Sequence, residues 1–551
     1  MAYIEKASRE QATLLPDSIE DYVSENNPVR VIDAFVDSLD LEEMGFAKAT
    51  PAETGRPPYD PRDLLKLYIY GYLNKIRSSR KLMLECGRNI EVMYLLGKLT
   101  PDFRTIANFR RDNPKALRNV FRAFVKLCNK LGLYQKILLA VDGTKIRAQN
   151  GDDHAYNRDI LEKKLVGIDE HITEYLAVMD ASDKEESEEK VPTTEEVKRI
   201  LADLNSRKEK YEGYLDYLTE SGETQILETD PEARRMHSKD GFHCCYNVQT
   251  AVDGGSHLIA EYEVTNHNTD QGLLNQVTAQ AKELLEVETI EAVADKGYES
   301  REDILNCVMN GTVPNVAFKY DKDERVYSLD YIASEITETE RNSTDPQTIQ
   351  KCIHAGVLPV CYEGTSLSIE LQTENKIGCF TRLENNTVIC PMGHILSQVR
   401  HRESHGTRVY GNRDACRQCL NRCTRSHNPK FVEFGENTTN ITARMYGSVP
   451  VKNQLPEEAE LNPNNHVLER RNPKPNKVML TIRPDKEKLR ERMCLSEHPF
   501  GTVKWYDGAH YVLCRGKEKA AGELGLSFLA YNLRRVLNIL GTTALIKGIE
   551  G

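Results

Sequence analysis

The chain has 551 residues and a formal net charge of −11, and 39% of its residues are hydrophobic. This length is enough for several domains of about 100–200 residues, each with its own core. No apolar run approaches the ~18 residues that a membrane span requires, and the first residues lack the basic and then apolar pattern of a secretory signal. The composition therefore favours a soluble cytoplasmic protein with no membrane partner.

Charge is distributed unevenly along the chain. Residues 51–150 carry a net charge of +12, counted as Lys and Arg minus Asp and Glu, whereas residues 151–230 carry −13. A basic module attracts phosphates through counterion release, and an acidic neighbour keeps the whole protein soluble. The same pattern is compatible with a basic helical surface that is merely solvated.

The first 135 residues have the periodicity of helices. Asp60 followed by Pro61 predicts a helix start, and residues 77–113 contain three short helical stretches with tight breaks between them. These stretches resemble a helix-turn-helix in which Arg104, Arg110 and Arg111 face DNA. Three-helix arrangements also occur in proteins that never contact DNA, so the pattern leaves a purely structural role open.

Two apolar segments of strand length, residues 137–146 and 290–298, contain an aspartate that is followed closely by glycine. Asp142 and Asp295 would each lie at the end of a buried strand. Such a strand often ends at Asp only because Asp and Gly start turns. Two such carboxylates in one sheet could instead hold Mg²⁺ between them.

Residues 151–228 are a different kind of segment. Two strongly charged helical patterns flank an acidic run and predict an antiparallel helical pair. We interpret this pair as an insertion between the first two strands of a sheet, with a structural or protein-contacting role and without catalytic groups.

The next segments predict a hairpin (242–252 and 258–264), a helix (270–287), the strand that ends at Asp295, a helix (301–309) and a strand (313–320). Three strands, a helix, a strand, a helix and a strand form the order that an RNase H-like domain requires. At this point the sequence resembles the bacterial insertion-sequence transposases of the DDE superfamily. Residues 141–144 and 294–298 are similar to the first two acidic motifs of that family. Residues 64–113 are similar to the N-terminal helical region of its InsH-type members.

The pattern and the resemblance together imply an α/β catalytic core, an RNase H-like mixed sheet flanked by helices, with an all-α N-terminal DNA-binding domain. The expected division is a helical DNA-binding domain (1–135), a core assembled from 136–150, 229–321 and 485–551, a helical-hairpin insertion (151–228) and a zinc-knuckle insertion (322–484). The last segment contains the helix with the third acid and a closing C-terminal helix.

The resemblance also implies a third carboxylate, best matched by Glu497, and a lysine seven residues later, Lys504. Both would face the site if the helix continues through Pro499, although Pro usually kinks or ends a helix. The family's Tyr and Arg are missing upstream, where Arg492 could take the place of the Arg. Glu523 and Glu491 are alternatives for the third acid.

Cysteine spacing gives a second signal. Five soft ligands, Cys390, His394, Cys416, Cys419 and Cys423, are available for the four positions around tetrahedral Zn²⁺. Unpaired cytosolic thiols are the alternative. The resemblance favours the four cysteines and leaves His394 as the spare ligand, in a structural zinc site.

The resemblance implies a transposase that binds double-stranded DNA at terminal inverted repeats, cuts it and joins the 3′ ends to target DNA, using two Mg²⁺ or Mn²⁺ ions held by Asp142, Asp295 and Glu497. We expect a homodimer on DNA, because two ends must be brought together, and localisation at the bacterial nucleoid when bound. The alternatives are a DNA-binding descendant without catalysis and an RNase H-like nuclease without strand transfer.

Overall fold

The computed structural model describes residues 18–50, 57–182, 194–238, 240–319, 323–372, 377–403, 406–419, 422–424, 428–445, 452 and 477–551. The described parts of 1–323 and 483–551 form one compact unit, and those of 324–482 form a second. In these parts of the chain, no helix combines the length and the apolar character needed to cross a bilayer.

The described residues between 18 and 130 include six α-helices: α1 (Val29–Asp37), α2 (Pro61–Leu73), α3 (Ser79–Arg88), α4 (Ile90–Leu95), α5 (Phe103–Asp112) and α6 (Pro114–Lys130). Local sequence explains the starts of α2 and α5. The Asp60 side chain accepts a hydrogen bond from the backbone N–H of Arg62, and Pro61 occupies the first turn of α2. The Asp102 side chain caps α5 by accepting from the backbone N–H of Arg104.

The central part of the first unit contains eight strands and four helices. In chain order they are β1 (Leu138–Arg147), β2 (Ala155–Tyr156), α7 (Arg158–Ser182), α8 (Thr194–Ser221), β3 (Ile226–Leu227), β4 (Arg234–Ser238), β5 (Gly241–Asp253), β6 (Ile259–Thr265), α9 (Leu274–Leu285), β7 (Ile290–Ala294), α10 (Arg301–Met309) and β8 (Thr312–Val316). The predicted helix over 270–287 begins only at Leu274, so Asp270 lies in the preceding loop.

Six of these strands form one mixed sheet. Its order is β4-β5-β1-β7-β8, and β6 pairs with β5. β5 runs antiparallel to β1, whereas β7 and β8 run parallel to it. The mixed α/β architecture predicted from the sequence is confirmed. The helices α7 and α8 pair with each other between β2 and β3.

The second unit is rich in antiparallel sheet. It contains β9 (Arg325–Asp330), α11 (Glu338–Arg341), α12 (Pro346–His354), β10 (Leu367–Gln372), β11 (Ile377–Arg382), β12 (Val388–Ile389), β13 (Ile395–Arg402), β14 (Thr407–Gly411), α13 (Arg413–Arg417), β15 (Phe431–Gly435), β16 (Asn440–Arg444) and β17 (Lys477–Ile482). One sheet has the order β10-β17-β9, and the other has the order β15-β14-β13-β12-β11-β16.

Three helices complete the first unit: α14 (Lys486–Gly501), α15 (Lys517–Leu540) and α16 (Thr542–Glu550). A π-helical turn, Thr502–Tyr506, follows α14. α15 packs against α2, α6 and β6, and one continuous hydrophobic core extends from Val23 to Leu545. The N-terminal helices therefore share their core with the sheet.

Candidate functional site

Asp142 lies in the middle of β1, the central strand of the mixed sheet. Its partner on β5 is Thr250, and its Oδ1 accepts a 2.9 Å hydrogen bond from the backbone N–H of Gly143. Helix α14 contacts β1, and Arg492 Nη1 is 3.5 Å from Asp142 Oδ2. Burial raises the pKa of the Asp142 carboxyl, and Arg492 and Ser496 oppose that shift. This aspartate is thus a largely desolvated carboxylate beside a cation.

Asp295 follows the last residue of β7, the parallel neighbour of β1. The ladder between the two strands ends with the pair Ala140 and Val293, each two residues before its aspartate, so Asp295 and Asp142 lie near each other. Asp295 Oδ1 accepts a 2.7 Å hydrogen bond from the backbone N–H of Gly297. Its charge also raises the pKa of Asp142, as expected for two neighbouring carboxylates. The structure brings together the two aspartates singled out in the sequence.

Lys504 lies at the same part of the sheet. The π-helical turn directs its Nζ toward β1, where it donates to Thr144 Oγ1 at 3.0 Å and to the carbonyl oxygen of Lys145 at 3.1 Å. Thr144 is two residues beyond Asp142 and therefore points to the same face of the strand. Lys504 is thus the third predicted site residue that lies at this part of the sheet.

Glu497, the predicted third carboxylate, lies at an exposed position of α14. α14 continues through Pro499, as the prediction required, but Glu497 is exposed while the adjacent Ser496 is buried. One residue corresponds to about 100° of helical rotation, so Arg492 and Ser496, four residues apart, share the face toward Asp142. In the described residues, no group of three or more His, Cys, Asp or Glu side chains is placed to hold a metal ion.

A polar network that the sequence reasoning missed lies next to the aspartate pair. Asp270 Oδ1 accepts hydrogen bonds of 2.8 Å from Asn247 Nδ2 and from Gln249 Nε2, both on β5. The hydroxyl of Tyr298 donates to Gln249 Oε1, and Lys145 Nζ is 3.7 Å from Asp270 Oδ1. Asn247 and Gln249 are fully buried. Two amide side chains at i and i+2, on one face of β5, were the available signal.

The arginines predicted to face DNA differ in exposure. Arg104 and Arg111 are exposed on α5, and Arg111 pairs with Asp112 at 2.7 Å. Arg110 is buried, which corrects the prediction that it faces DNA. It lies on the inner side of α5 beside the buried Phe109.

Arg110 belongs to an internal ion cluster. Its Nη1 donates to the hydroxyl of Tyr72 at 3.0 Å and lies 3.8 Å from Glu523 Oε1. Arg77 Nη2 donates to the same Glu523 oxygen at 2.8 Å. Glu523, an alternative for the third acid, is therefore bound within the helical core, while the other alternative, Glu491, is exposed on α14.

The second unit contains the predicted zinc ligands. One cavity of about 30 Å³ is lined by Met392, Met445, His394 and all four of the predicted cysteines, Cys390, Cys416, Cys419 and Cys423. The four thiols are near enough for Cys416 and Cys419 to raise the pKa of Cys390, after the larger effect of burial. Residues distant in sequence thus meet at one place in the fold.

Backbone geometry around Cys390 forms a tight turn. Its carbonyl oxygen accepts from the N–H of Gly393 at 2.8 Å, and its Sγ accepts from the N–H of His394 at 3.3 Å. The N–H of Met392 also stabilises the thiolate form. The imidazole of His394 belongs to an exposed residue.

Comparison with known proteins relates one segment to a family. Residues 17–112 match the model of a family described as transposase domain (DUF772). No curated protein matches the sequence. Among solved structures, the chain is similar to the piggyBac transposase in its synaptic complex with hairpin DNA, with 8% identity and a TM-score of 0.27, over 95% of this chain and 79% of that one. Because that likeness is weak, the relation to transposases rests on the N-terminal match.

Proposed function

We propose that this protein is a DNA transposase that binds the terminal inverted repeats of an insertion sequence, cuts them and joins the 3′ ends to target DNA by metal-dependent phosphoryl transfer. The observation that carries the proposal is the nearness of Asp142, in β1, to Asp295, directly after the parallel strand β7, with Lys504 bonded to Thr144 on β1. The chain order of β1, β5, β6, α9, β7, α10 and β8 supports an RNase H-like core.

The aspartate pair fits the metal that this function requires. Carboxylate oxygens are the hard ligands that Mg²⁺ and Mn²⁺ prefer. Such ions, if held there, would supply Lewis-acid activation of a water or 3′-hydroxyl and stabilisation of the leaving oxygen. Asp142 and Asp295 would hold them, and the mutual repulsion of the two carboxylates favours a cation between them. Glu497 remains our candidate for the third acid, and its exposed side chain is accessible to metal and DNA.

The two cations beside the aspartates would act on the DNA backbone. Arg492, 3.5 Å from Asp142, and Lys504, bonded to Thr144, provide positive charge where a phosphate must approach. Both side chains are hydrogen-bond donors only, so we assign them to phosphate binding and not to proton transfer.

The N-terminal helices would hold the inverted repeat. Arg104 and Arg111 are exposed on α5, within the segment that matches the transposase-domain family. Phosphate contacts position a protein on DNA without reading its sequence. We propose that two copies of the chain bind the two ends as a homodimer, at the nucleoid.

We also propose a structural Zn²⁺ in the second unit. Cys390, Cys416, Cys419 and Cys423 line the same cavity, although their side chains are not placed as metal ligands in the described residues, and backbone N–H groups already point at Cys390 Sγ. Such N–H donors favour a thiolate, which is the form that binds zinc. The exposed His394 is the alternative ligand.

The test is incubation of the purified protein with DNA flanking its own gene, in Mg²⁺ or Mn²⁺, beside Asp295→Ala. We expect metal-dependent breaks at one defined end and joined products with wild type, and neither with the variant. Asp295→Ala should still bind the end fragment, because the N-terminal helices are unchanged. Full cleavage by Asp295→Ala would remove this residue from the site.

One observation favours the alternative of a DNA-binding descendant without catalysis. Asp142 already has Arg492 as a cationic partner at 3.5 Å. Specific binding of the end fragment without breaks in either metal would establish this alternative. Breaks without joined products would establish the nuclease.

A further inference from the structure

The two glycines that follow the aspartates make room for a side chain from elsewhere. A Cβ atom on Gly143 would lie 2.4 Å from Gln249 Nε2 and 2.7 Å from Asp270 Oδ1. A Cβ atom on Gly297 would lie 2.8 Å from Asp295 Oδ1 and 3.5 Å from Asp270 Oδ2. Neither glycine has a left-handed φ. A side chain at position 143 would therefore collide with Gln249 and Asp270, whereas at position 297 the close approach is to Asp295 and Asp270 lies at ordinary contact distance.

The side chain that lies beside both glycines is Asp270. Its Oδ1 atom faces Gly143 in β1 and its Oδ2 atom faces Gly297, so one carboxylate lies between strand β1 and the turn after Asp295. The same two glycine N–H groups donate to the aspartates, at 2.9 Å to Asp142 and 2.7 Å to Asp295. A displacement of the backbone at either glycine would therefore move an aspartate carboxylate.

Asp270 is itself firmly held. Asn247 and Gln249 both donate to Oδ1 at 2.8 Å, and both are fully buried on β5. Lys145, 3.7 Å away, compensates the charge of the carboxylate. The hydroxyl of Tyr298 fixes the amide of Gln249 in turn. A buried, satisfied polar network of this kind specifies one arrangement.

We propose that Asp270 is a positioning residue, which holds the β1 backbone at Gly143 and the turn at Gly297 and so sets the separation and orientation of Asp142 and Asp295. The inference deepens the function proposed above, because its catalytic consequence rests on that function. It also gives a physical reason for glycine at 143. Small errors in the placement of catalytic groups can lower a rate by about 10²-fold.

The experiment compares Asp270→Ala, Asp270→Asn and the control Glu283→Ala in the full chain. Glu283 is an exposed carboxylate on α9, the helix that follows Asp270. Hydrogen–deuterium exchange is measured in peptides covering 138–147, 290–298 and, as an internal reference, 103–112. Cleavage of the end fragment is measured as a function of Mg²⁺ and Mn²⁺ concentration.

For Asp270→Ala we expect exchange about tenfold faster at 138–147 and 290–298, unchanged exchange at 103–112 and cleavage lowered by about 10²-fold, with a higher metal requirement. Asp270→Asn should stay close to wild type in both, because its side-chain oxygen still accepts from Asn247 and Gln249. Glu283→Ala should match wild type.

Unchanged exchange in both 138–147 and 290–298 of Asp270→Ala would overturn the inference. Faster exchange throughout the unit would also overturn it, because that result would indicate general destabilisation. A loss of cleavage in Asp270→Asn as large as in Asp295→Ala would also overturn it, because the charge and not the placement would then be required. If wild type does not cut DNA, the proposed function fails. The exchange data still decide whether Asp270 holds the backbone at Gly143 and at Gly297.

Discussion

At the scale of single residues, the ion cluster around Glu523 places a buried carboxylate between two buried arginines in the first unit. Its carboxylate is fully buried and accepts from the backbone N–H groups of Leu513 and Cys514 at 2.8 and 2.9 Å. Burial alone would raise the pKa of Glu523, but Arg110 and Arg77 outweigh it and the net shift is downward. The cluster joins α15 to the N-terminal helices, so its loss should affect the whole unit.

We predict that Glu523→Gln destabilises the unit by about 3–5 kcal/mol, because two buried guanidinium groups lose their counter-ion. Thermal or denaturant unfolding measures this effect. Glu518→Gln is the matched control, since Glu518 is exposed on the same helix. Equal stability of the two variants would show that the buried pairing contributes nothing.

The same cluster predicts a dependence of stability on pH. Because the pKa of Glu523 is lowered in the folded protein, its contribution is present above the unfolded pKa and is lost as pH falls through the folded pKa. The stability difference between wild type and Glu523→Gln should therefore shrink on acidification below about pH 4.5. A difference that stays constant down to acid unfolding would contradict the assignment.

At the scale of elements, the π-helical turn after α14 determines where Lys504 points. π turns inside helices frequently lie at functional sites. Here the turn Thr502–Tyr506 carries the lysine whose Nζ reaches Thr144 on β1. The turn thus links the helix bearing Glu497 to the strand bearing Asp142.

We predict that Lys504→Ala lowers cleavage of the end fragment by about 10–10²-fold with little change in melting temperature, because it removes a phosphate-binding charge outside the hydrophobic core. Lys519→Ala, an exposed lysine on α15, is the control. Cleavage by Lys504→Ala at the wild-type rate would exclude a role at the site.

The helical hairpin α7–α8 is an element with a small core of its own. Tyr156, Leu161 and Leu218 form a separate hydrophobic cluster at its base. Farther along, Lys208 Nζ is 2.7 Å from Asp169 Oδ1, so the two helices are adjacent there.

Replacement of residues 169–208 by a short Gly/Ser linker should therefore leave the melting temperature within about 3 °C of wild type and should retain cleavage of a single end. The comparison is a thermal melt and a cleavage assay beside the full chain. Unfolding of the deletion variant would show that the helical hairpin α7–α8 stabilises the sheet.

At the scale of the whole molecule, each unit has hydrophobic clusters of its own. The first has one large hydrophobic core that includes helices from both ends of the chain. Among the described residues of the second, Cys390 and Cys423 pack against two small clusters. A metal that joins such clusters would contribute directly to folding.

We predict about one zinc per chain in the purified protein, and a lower zinc content in Cys416→Ser and Cys419→Ser. Elemental analysis gives the zinc content, and hydrogen exchange should show loss of protection in 377–445 but not in 138–147. Cys494→Ser, at an exposed cysteine of the first unit, is the control. A zinc content near zero in carefully purified wild type would contradict the proposed zinc site.

Much of the fold follows from local sequence. The Asp60 cap with Pro61 gave the start of α2, and the bounds of α10 agree with the predicted 301–309, because caps and periodicity are short-range properties. Alternation within β5 and apolar runs in β1 and β7 predicted the strands. The prediction that each aspartate ends its strand holds for Asp295, directly after β7, and is wrong for Asp142, because β1 continues to Arg147 through its pairing with β5.

Tertiary structure alone decided which side chains meet. Periodicity assigns a residue to a face of a helix but does not say what covers that face, so Arg110 was predicted on a DNA-facing surface and lies against Glu523. Glu497 and Ser496 differ by one position, and only the packing of α14 on β1 shows which of them is buried. Asp270 gave no local signal, because its partners Gly143 and Gly297 are brought to it by the sheet.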